Sequence, residues 1–516
     1  MIDHSRIRFF GDIPYAQEEL RGDRPGLESG DRRWTFAQLA DRTRRTITAL
    51  KAVGIGEGDR VAWLGAGGLH WFEAFFATVG LRACFAPLNL RLAPAELAFI
   101  LDDSEASLLL VTEDQLALAK AAVAEMESPV RIVTIGFSHP DHDRLGNDDA
   151  APSEPLAQRP EDDIFQLYTS GTTGLPKGVR LTNANYEAFL KYSPQVEGFD
   201  YDASETALIV MPMFHVAGTN VSLAALAHGC RTIIEPAFDP ASVLRRIGEE
   251  RVAQIFLAPT LIQMLLDAPG AGDADFSSLR TVSYGASPIP EALLRRAQET
   301  MRCQFVQYYG MTESAGAGTY LAPSQHQPDL LRSCGKAWPG MEAQVQRDDG
   351  SEADVGEVGE IVLRGAMVTP GYWKREEASA DALEGGWLHT GDAGFRDADG
   401  YFYVHDRIKD MIVTGGENVY PAEVENAISG CPGVVEVAVI GVPSDRWGEE
   451  VKAIVVCAGD PVDPDSVIAW TKERIAGFKA PKSVDIIDAL PRNPSGKILR
   501  RELRATYWEG RDRTVG

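Results

Sequence analysis

Cysteine is scarce and scattered in this 516-residue chain: Cys84, Cys230, Cys303, Cys334, Cys431 and Cys457 form no Cys-x-x-Cys pair, and no histidine cluster accompanies them. A disulfide scaffold and a zinc site are thereby excluded, and the thiols read as buried or incidental. Positive charge is also short, with 50 Lys and Arg against 75 Asp and Glu and a formal net charge of −25. Such a field excludes nucleic acid as a partner, because that binding depends on neutralising phosphates with Lys and Arg. No uninterrupted apolar run is long enough to span a bilayer, so no integral membrane association is expected. The first eight residues lack the charged-then-apolar layout of a secretory signal, which makes a cytoplasmic location the expectation. Internal repeats and low-complexity tracts are absent as well. So is any Gly-x-Ser-x-Gly, which removes the nucleophile-elbow hydrolases.

What remains is a globular composition, 44% hydrophobic and 24% charged. The length exceeds one ordinary core, so at least two domains are expected. Thr35 and Gln38 form a capping box, and Phe36, Leu39, Ala40, Ile47 and Leu50 keep helical spacing up to a stop at Gly54. Residues 60–64 read as a strand. Apolar runs at 208–211, 231–234, 254–258 and 281–284 continue the rhythm and predict parallel α/β layers. Residues 150–159 form a polar connector. Beyond Cys334, short strands at 360–364 and 400–404 with Gly/Asp turns predict a small antiparallel or barrel-like unit. A compact tail follows, with a helix opening near Pro421, strands at 434–442 and 451–456, and a helix around 466–475. The fold class is α/β. A large domain of layered α/β subdomains plus the barrel-like unit spans 1–405, a hinge spans 406–410, and a small mobile α+β domain spans 411–516.

The strongest local signal runs from Tyr168 to Val179, after a strand at 163–167. Gly171, Gly174 and Gly178 let backbone approach a ligand; Thr169, Ser170, Thr172 and Thr173 offer hydroxyls; Lys177 adds a point charge. That is a phosphate cradle in chemical terms. It is not a Walker loop, because Lys177 follows a proline and precedes a glycine.

At these residues the chain resembles the adenylate-forming superfamily, which includes acyl-CoA synthetases, firefly luciferase and the adenylation domains of peptide synthetases. Five further segments resemble family motifs in the same order: 212–218, Tyr308 to Glu313, Thr390 to Asp392, Asp406 to Asp410 running into 415–418, and Pro494 to Arg500. The resemblance therefore covers nearly the whole chain. It implies an ATP site of Thr169, Ser170, Gly171, Thr172, Thr173, Gly174 and Lys177 for phosphates, with Gly285, Ala286, Tyr309, Gly310 and Thr312 around adenine. Asp392 would accept both ribose hydroxyls, and Arg407 would stand at the ribose and phosphate edge. Glu313, with Thr172, would hold Mg²⁺ already bound by triphosphate oxygens. Lys497 would bridge the incoming carboxylate and the α-phosphate, Lys409 would be the hinge residue, and His215 would order or gate the acyl site. Gly415 and Gly416 would line a pantetheine passage for coenzyme A, with Trp447 and Lys479 beside it, although Trp447 reads equally well as core.

Phe214, His215, Val216, Asn220, Gly310 and Met311 would form the acyl pocket. The pocket segments carry no carboxylate apart from Glu313, which disfavours an α-amino acid, and no Arg or Lys, which disfavours a dicarboxylate. The segment most resembles fatty acyl-CoA synthetases, with hydroxycinnamate- and benzoate-type ligases as close relatives. The expected enzyme is an AMP-forming carboxylate–CoA ligase whose partners are a small carboxylic acid and coenzyme A. A homodimer is left open. An aryl-CoA ligase, an adenylating enzyme with another acceptor, and a nucleotide-binding protein without catalysis are the alternatives.

Overall fold

The computed structural model describes residues 2–169, 175–407, 410–414, 417–444, 446–459, 461–492 and 497–509, excepting the side chains of 406 and 407. Two large sheets dominate. A seven-stranded sheet runs in the order Asp143–Arg144, Ile132–Thr134, Leu108–Val111, Arg60–Leu64, Cys84–Pro87, Asp163–Thr169, Lys177–Thr182. A nine-stranded sheet has Thr206–Ile209, Val252–Leu257, Thr281–Gly285 and Gln304–Tyr309 as parallel neighbours at its centre.

Alternation along these strands explains the layering. Leu208 and Val210 point into a core shared with the helices Pro240–Glu249, Pro259–Asp267 and Glu291–Met301, whereas Ala207, Ile209 and Met211 point to the opposite core. A strand buried on both faces must be apolar at every position, which is why the run shows no period of two. The seven-stranded sheet divides in the same way, with Ala62 and Leu64 on one face and Val61 and Trp63 on the other. The shared central core is rich in rings. Phe75 and Phe165 stack with centroids 4.6 Å apart at 8°, and Trp71 packs on both. Each such pair adds about 1 kcal/mol beyond its buried area.

Several boundaries differ from expectation. The run 208–211 pairs only as Thr206–Ile209, because the chain turns away ahead of Pro212. The strand expected at 254–258 is Val252–Leu257, since Ala258 is the extended N-cap of a helix with proline at its first position. The helix expected at 466–475 is Pro464–Lys472, opened by Asp463 accepting the Ser466 N–H at 3.2 Å. The Thr35/Gln38 box caps Phe36–Ala52 as expected, and Gly54 follows that helix with φ +98°. Residues 151–159 are irregular and docked on it, with the Thr48 hydroxyl donating to the Ala151 carbonyl at 2.6 Å.

The expected antiparallel unit is a curled sheet of four strands, Met341–Gln346, Gly359–Gly365, Leu388–Arg396 and Phe402–Arg407. The tail is a small α+β unit whose longest strands, Val434–Ser444 and Gly448–Cys457, pair antiparallel under the helices Pro421–Ser429 and Pro464–Lys472.

Candidate active site

Two antiparallel strands flank the expected phosphate cradle. Thr169 closes the strand Asp163–Thr169 directly opposite Lys177, the first residue of Lys177–Thr182. Ser170, Gly171, Thr172, Thr173 and Gly174 lie outside the described residues, as do Lys409, Gly415 and Gly416. A second segment docks beside Lys177. Val179 bridges Tyr372, and the Trp373 N–H donates to the Gly178 carbonyl at 2.8 Å.

That docking places Tyr372 between two predicted site residues. The Lys177 ammonium lies 5.1 Å from the Tyr372 ring centroid, and the Tyr372 hydroxyl donates to Glu313 Oε1 at 2.9 Å. Glu313 is only 5% exposed, at the start of a single helical turn, Thr312–Ser314. Its main chain is fixed too, with its carbonyl accepting the Thr369 N–H at 2.7 Å. Among the described residues no group of three or more His, Cys, Asp or Glu side chains is placed to hold a metal. One buried carboxylate still fits Mg²⁺, an ion that keeps few protein ligands and takes the rest from phosphates and water.

The residues expected around the nucleoside meet where the nine-stranded and curled sheets join. Tyr309, ending its strand, donates its hydroxyl to Asp392 Oδ2 at 2.8 Å. Burial, followed by the Asp392 charge, pushes the Tyr309 phenol well above its ordinary range, so it stays a donor. Asp392 is 8% exposed; its N–H donates to the Thr390 hydroxyl, which itself donates to the Ile361 carbonyl. Arg407 is the cross-strand partner of Asp392. Gly285 and Gly310 are fixed by close approach. A Cβ at Gly285 would lie 2.3 Å from the Tyr308 carbonyl, and one at Gly310 would lie 2.4 Å from that of Gly316. Ala286 follows Gly285 in the left-handed region, at φ +69°.

The expected acyl segments also converge. Asn220, on the helix Val216–His228, donates to the Ala315 carbonyl at 2.7 Å, and Val216 faces the same turn at Gly316. Met311 packs on the central core, and Phe214 is buried against the His215 ring at 4.7 Å. His215 is the N-cap of that helix, and its buried Nε2 has no hydrogen-bond partner among the described residues. Burial is the largest influence on its imidazole, followed by the Arg91 charge; together they lower its pKa to about 4, so it is neutral at pH 7.

The small domain's residues have other surroundings. Trp447 is 43% exposed with the Arg446 guanidinium over its ring at 4.6 Å, which rules out the core alternative. Lys479 is engaged by both oxygens of Glu423, at 2.7 and 2.8 Å. Lys497 stands beside an isolated bridge between Arg492 and Ile498. The residues missed from sequence are Tyr372, signalled by the aromatic pair after Gly371, and Asn185, whose amide donates to the carbonyls of Ala366 and Val368.

The model of the AMP-binding enzyme matches residues 15–373, and that of the AMP-binding enzyme C-terminal domain matches residues 423–497. The chain belongs to the AMP-binding enzyme family. It is an AMP-forming acid–thiol ligase. It is 40% identical over 504 residues to a feruloyl-CoA synthase of Amycolatopsis sp, covering 97% of this chain and 100% of that one. It is 38% identical over 505 residues to the fatty acid–[acyl-carrier-protein] ligase ScoC of Streptomyces coeruleorubidus, covering 95% of each. Its fold matches the crystal structure of the anthranilate CoA ligase AuaEII in complex with anthranoyl-AMP, at a TM-score of 0.88, 28% identity and 97% coverage of both chains. No helix among the described residues is long and apolar enough to cross a membrane.

Proposed function

We propose that this ligase joins a neutral-tailed carboxylic acid, fatty or otherwise apolar, to coenzyme A through an acyl-adenylate. The carrying observation is the pocket rim. Phe214 lies against a neutral His215, Val216 and Asn220 meet the turn at 315–316, and neither these residues nor Met311 carries a charge that would hold an ammonium or a second carboxylate. A carboxylate is already ionised at neutral pH, so no general base is required. His215 Nε2, buried and unpartnered, has a hydrogen-bonding position to offer the acid.

On this reading Lys177 and residues 169–174 hold the β- and γ-phosphates, Asp392 and Tyr309 hold the nucleoside, and Arg407 stands at the ribose edge. Glu313 and Thr172 would ligate Mg²⁺, which when bound supplies charge neutralisation to the triphosphate. Attack of one anion on another needs that neutralisation together with fixed geometry. Lys497 offers its ammonium to the acid and α-phosphate during adenylation. The small domain, 411–516, then turns about 406–410, withdrawing Lys497 and bringing Gly415 and Gly416 to the thiol. Trp447, exposed beside Arg446, suits a site for the thiol's carrier. Lys479 would have to exchange Glu423 for a phosphate.

The aryl reading is favoured by the feruloyl-CoA synthase and anthranilate ligase likenesses, and the carrier-protein acceptor by the likeness to ScoC. A panel of carboxylic acids with ATP and Mg²⁺, assayed for pyrophosphate with and without coenzyme A and with products weighed by mass, separates them. Coenzyme A-dependent turnover of at least one apolar or aryl acid is expected. Accumulated acyl-adenylate that coenzyme A never discharges would overturn the acceptor assignment.

A further inference from the structure

Asp410 ends the segment read as the hinge, and its carboxylate is 7% exposed. Two guanidinium groups converge on it, Arg504 at 2.7 Å and Arg500 at 3.9 Å. Both come from the short helix Arg500–Ala505, where a spacing of four puts them on one face. Arg500 Nη2 also reaches both oxygens of Glu425, at 2.8 and 2.7 Å, and Glu425 accepts the Val439 N–H at 2.8 Å. A buried carboxylate between paired cations is costly to leave half-broken, so the cluster holds as a unit.

The helix begins three residues after Lys497. Directly after Lys497 the chain pairs back with residues that precede it. Arg492 bridges Ile498, and the Leu499 N–H donates to the Pro491 carbonyl at 2.8 Å. Ile498, Leu503 and Tyr507 pack on Ala438, Ile440 and Leu490 of the small domain. Lys497 is therefore followed at once by a base tied to the small sheet and then by a helix tied to the residue that ends the hinge.

We infer that Asp410 is a positioning residue for Lys497. By holding Arg500 and Arg504 it fixes the lysine loop to the hinge, so that rotation carries Lys497 as one rigid piece with the small sheet. The inference rests on the adenylation role proposed for Lys497. A merely structural role would lower both half-reactions together; positioning acts only where Lys497 acts.

The test uses Asp410→Asn in the full-length enzyme, with Arg504→Gln as the second variant should the first not fold. Pyrophosphate release from ATP and the preferred acid is measured beside thioester formation from supplied acyl-adenylate. Adenylation should fall on the order of 10²-fold, the scale set by misplacing a reacting group by about 1 Å, with thioester formation changed by less than about threefold. In a Lys497→Ala background neither substitution should slow adenylation further. Equal loss in both half-reactions, or an added loss in the Lys497→Ala background, would overturn the positioning role. Normal adenylation by Lys497→Ala alone would bring down the lysine reading and this inference with it. Slow Lys497→Ala beside unimpaired Asp410→Asn would remove Asp410 only.

Discussion

Tyr372 joins two parts of the site through one side chain, its ring under Lys177 and its hydroxyl on Glu313. The hydroxyl fixes one carboxylate oxygen, which would orient the carboxylate for the proposed metal. Outer partners of this kind are typically worth about 10- to 100-fold in metal affinity or activity. Tyr372→Phe keeps the ring below Lys177 and removes only the donor. The half-saturating Mg²⁺ concentration for pyrophosphate release should rise by roughly tenfold, with a smaller change in maximal rate. An unchanged Mg²⁺ dependence would reduce Tyr372 to a packing residue. Residues such as Glu313 and Asp392 could be proposed from sequence because their neighbours form the recognisable motif. Tyr372 could not, because the contact that gives it a role spans 59 positions.

Among the elements, those specified locally could be read directly. Thr35 and Gln38 make their box within four residues, and the helix Phe36–Ala52 follows. The runs in the nine-stranded sheet could be recognised as strands, but their ends could not. Apolar residues such as Val210 and Met211 continue past the ladder to cover helices, and only the sheet partner decides where pairing stops. A second box was missed because its third position is asparagine. Thr182 and Asn185 cap the helix Asn183–Tyr192, and Asn185 also holds Ala366 and Val368, a few residues before Tyr372. Asn185→Ala would strip a buried cap and leave two carbonyls without their donor. Thr35→Ala loses an exposed cap alone, worth about 1 kcal/mol. Asn185→Ala should cost about 2–4 kcal/mol, since each buried polar group left unpaired costs about 1–3 kcal/mol. Denaturant midpoints of the two variants would compare them directly, and equal shifts would contradict the cross-link.

Across the whole molecule, the layers that build the site also bury histidines in their neutral form. His228 ends the helix Val216–His228 and is 3% exposed, its Nδ1 donating to the Ala224 carbonyl at 2.9 Å. His326 donates from Nδ1 to the Ala322 carbonyl and so presents Nε2 as acceptor to the Tyr284 hydroxyl at 3.0 Å. Burial is the largest influence on both and on His215, and each pKa is lowered to about 4 from an ordinary 6.5. The unfolded chain therefore takes up protons below pH 6.5 while the folded chain does not, so the unfolded state binds more protons across this interval. Stability is unaffected by these groups above pH 6.5 and falls as pH drops toward 4. For a shift of this size the loss approaches about 3 kcal/mol per histidine by pH 4. Carboxylates whose pKa is lowered, such as Glu28 and Asp485, begin from ordinary values of 4.5 and 3.8 and act mainly below about pH 5. The slope between pH 6.5 and about 5 therefore belongs mostly to the histidines. Replacing His228 by Asn, which can keep an N–H toward the Ala224 carbonyl, should flatten the dependence of unfolding free energy on pH by about one proton in that interval. Parallel curves for the parent and His228→Asn would mean that His228 is already protonated in the folded enzyme, contrary to its burial.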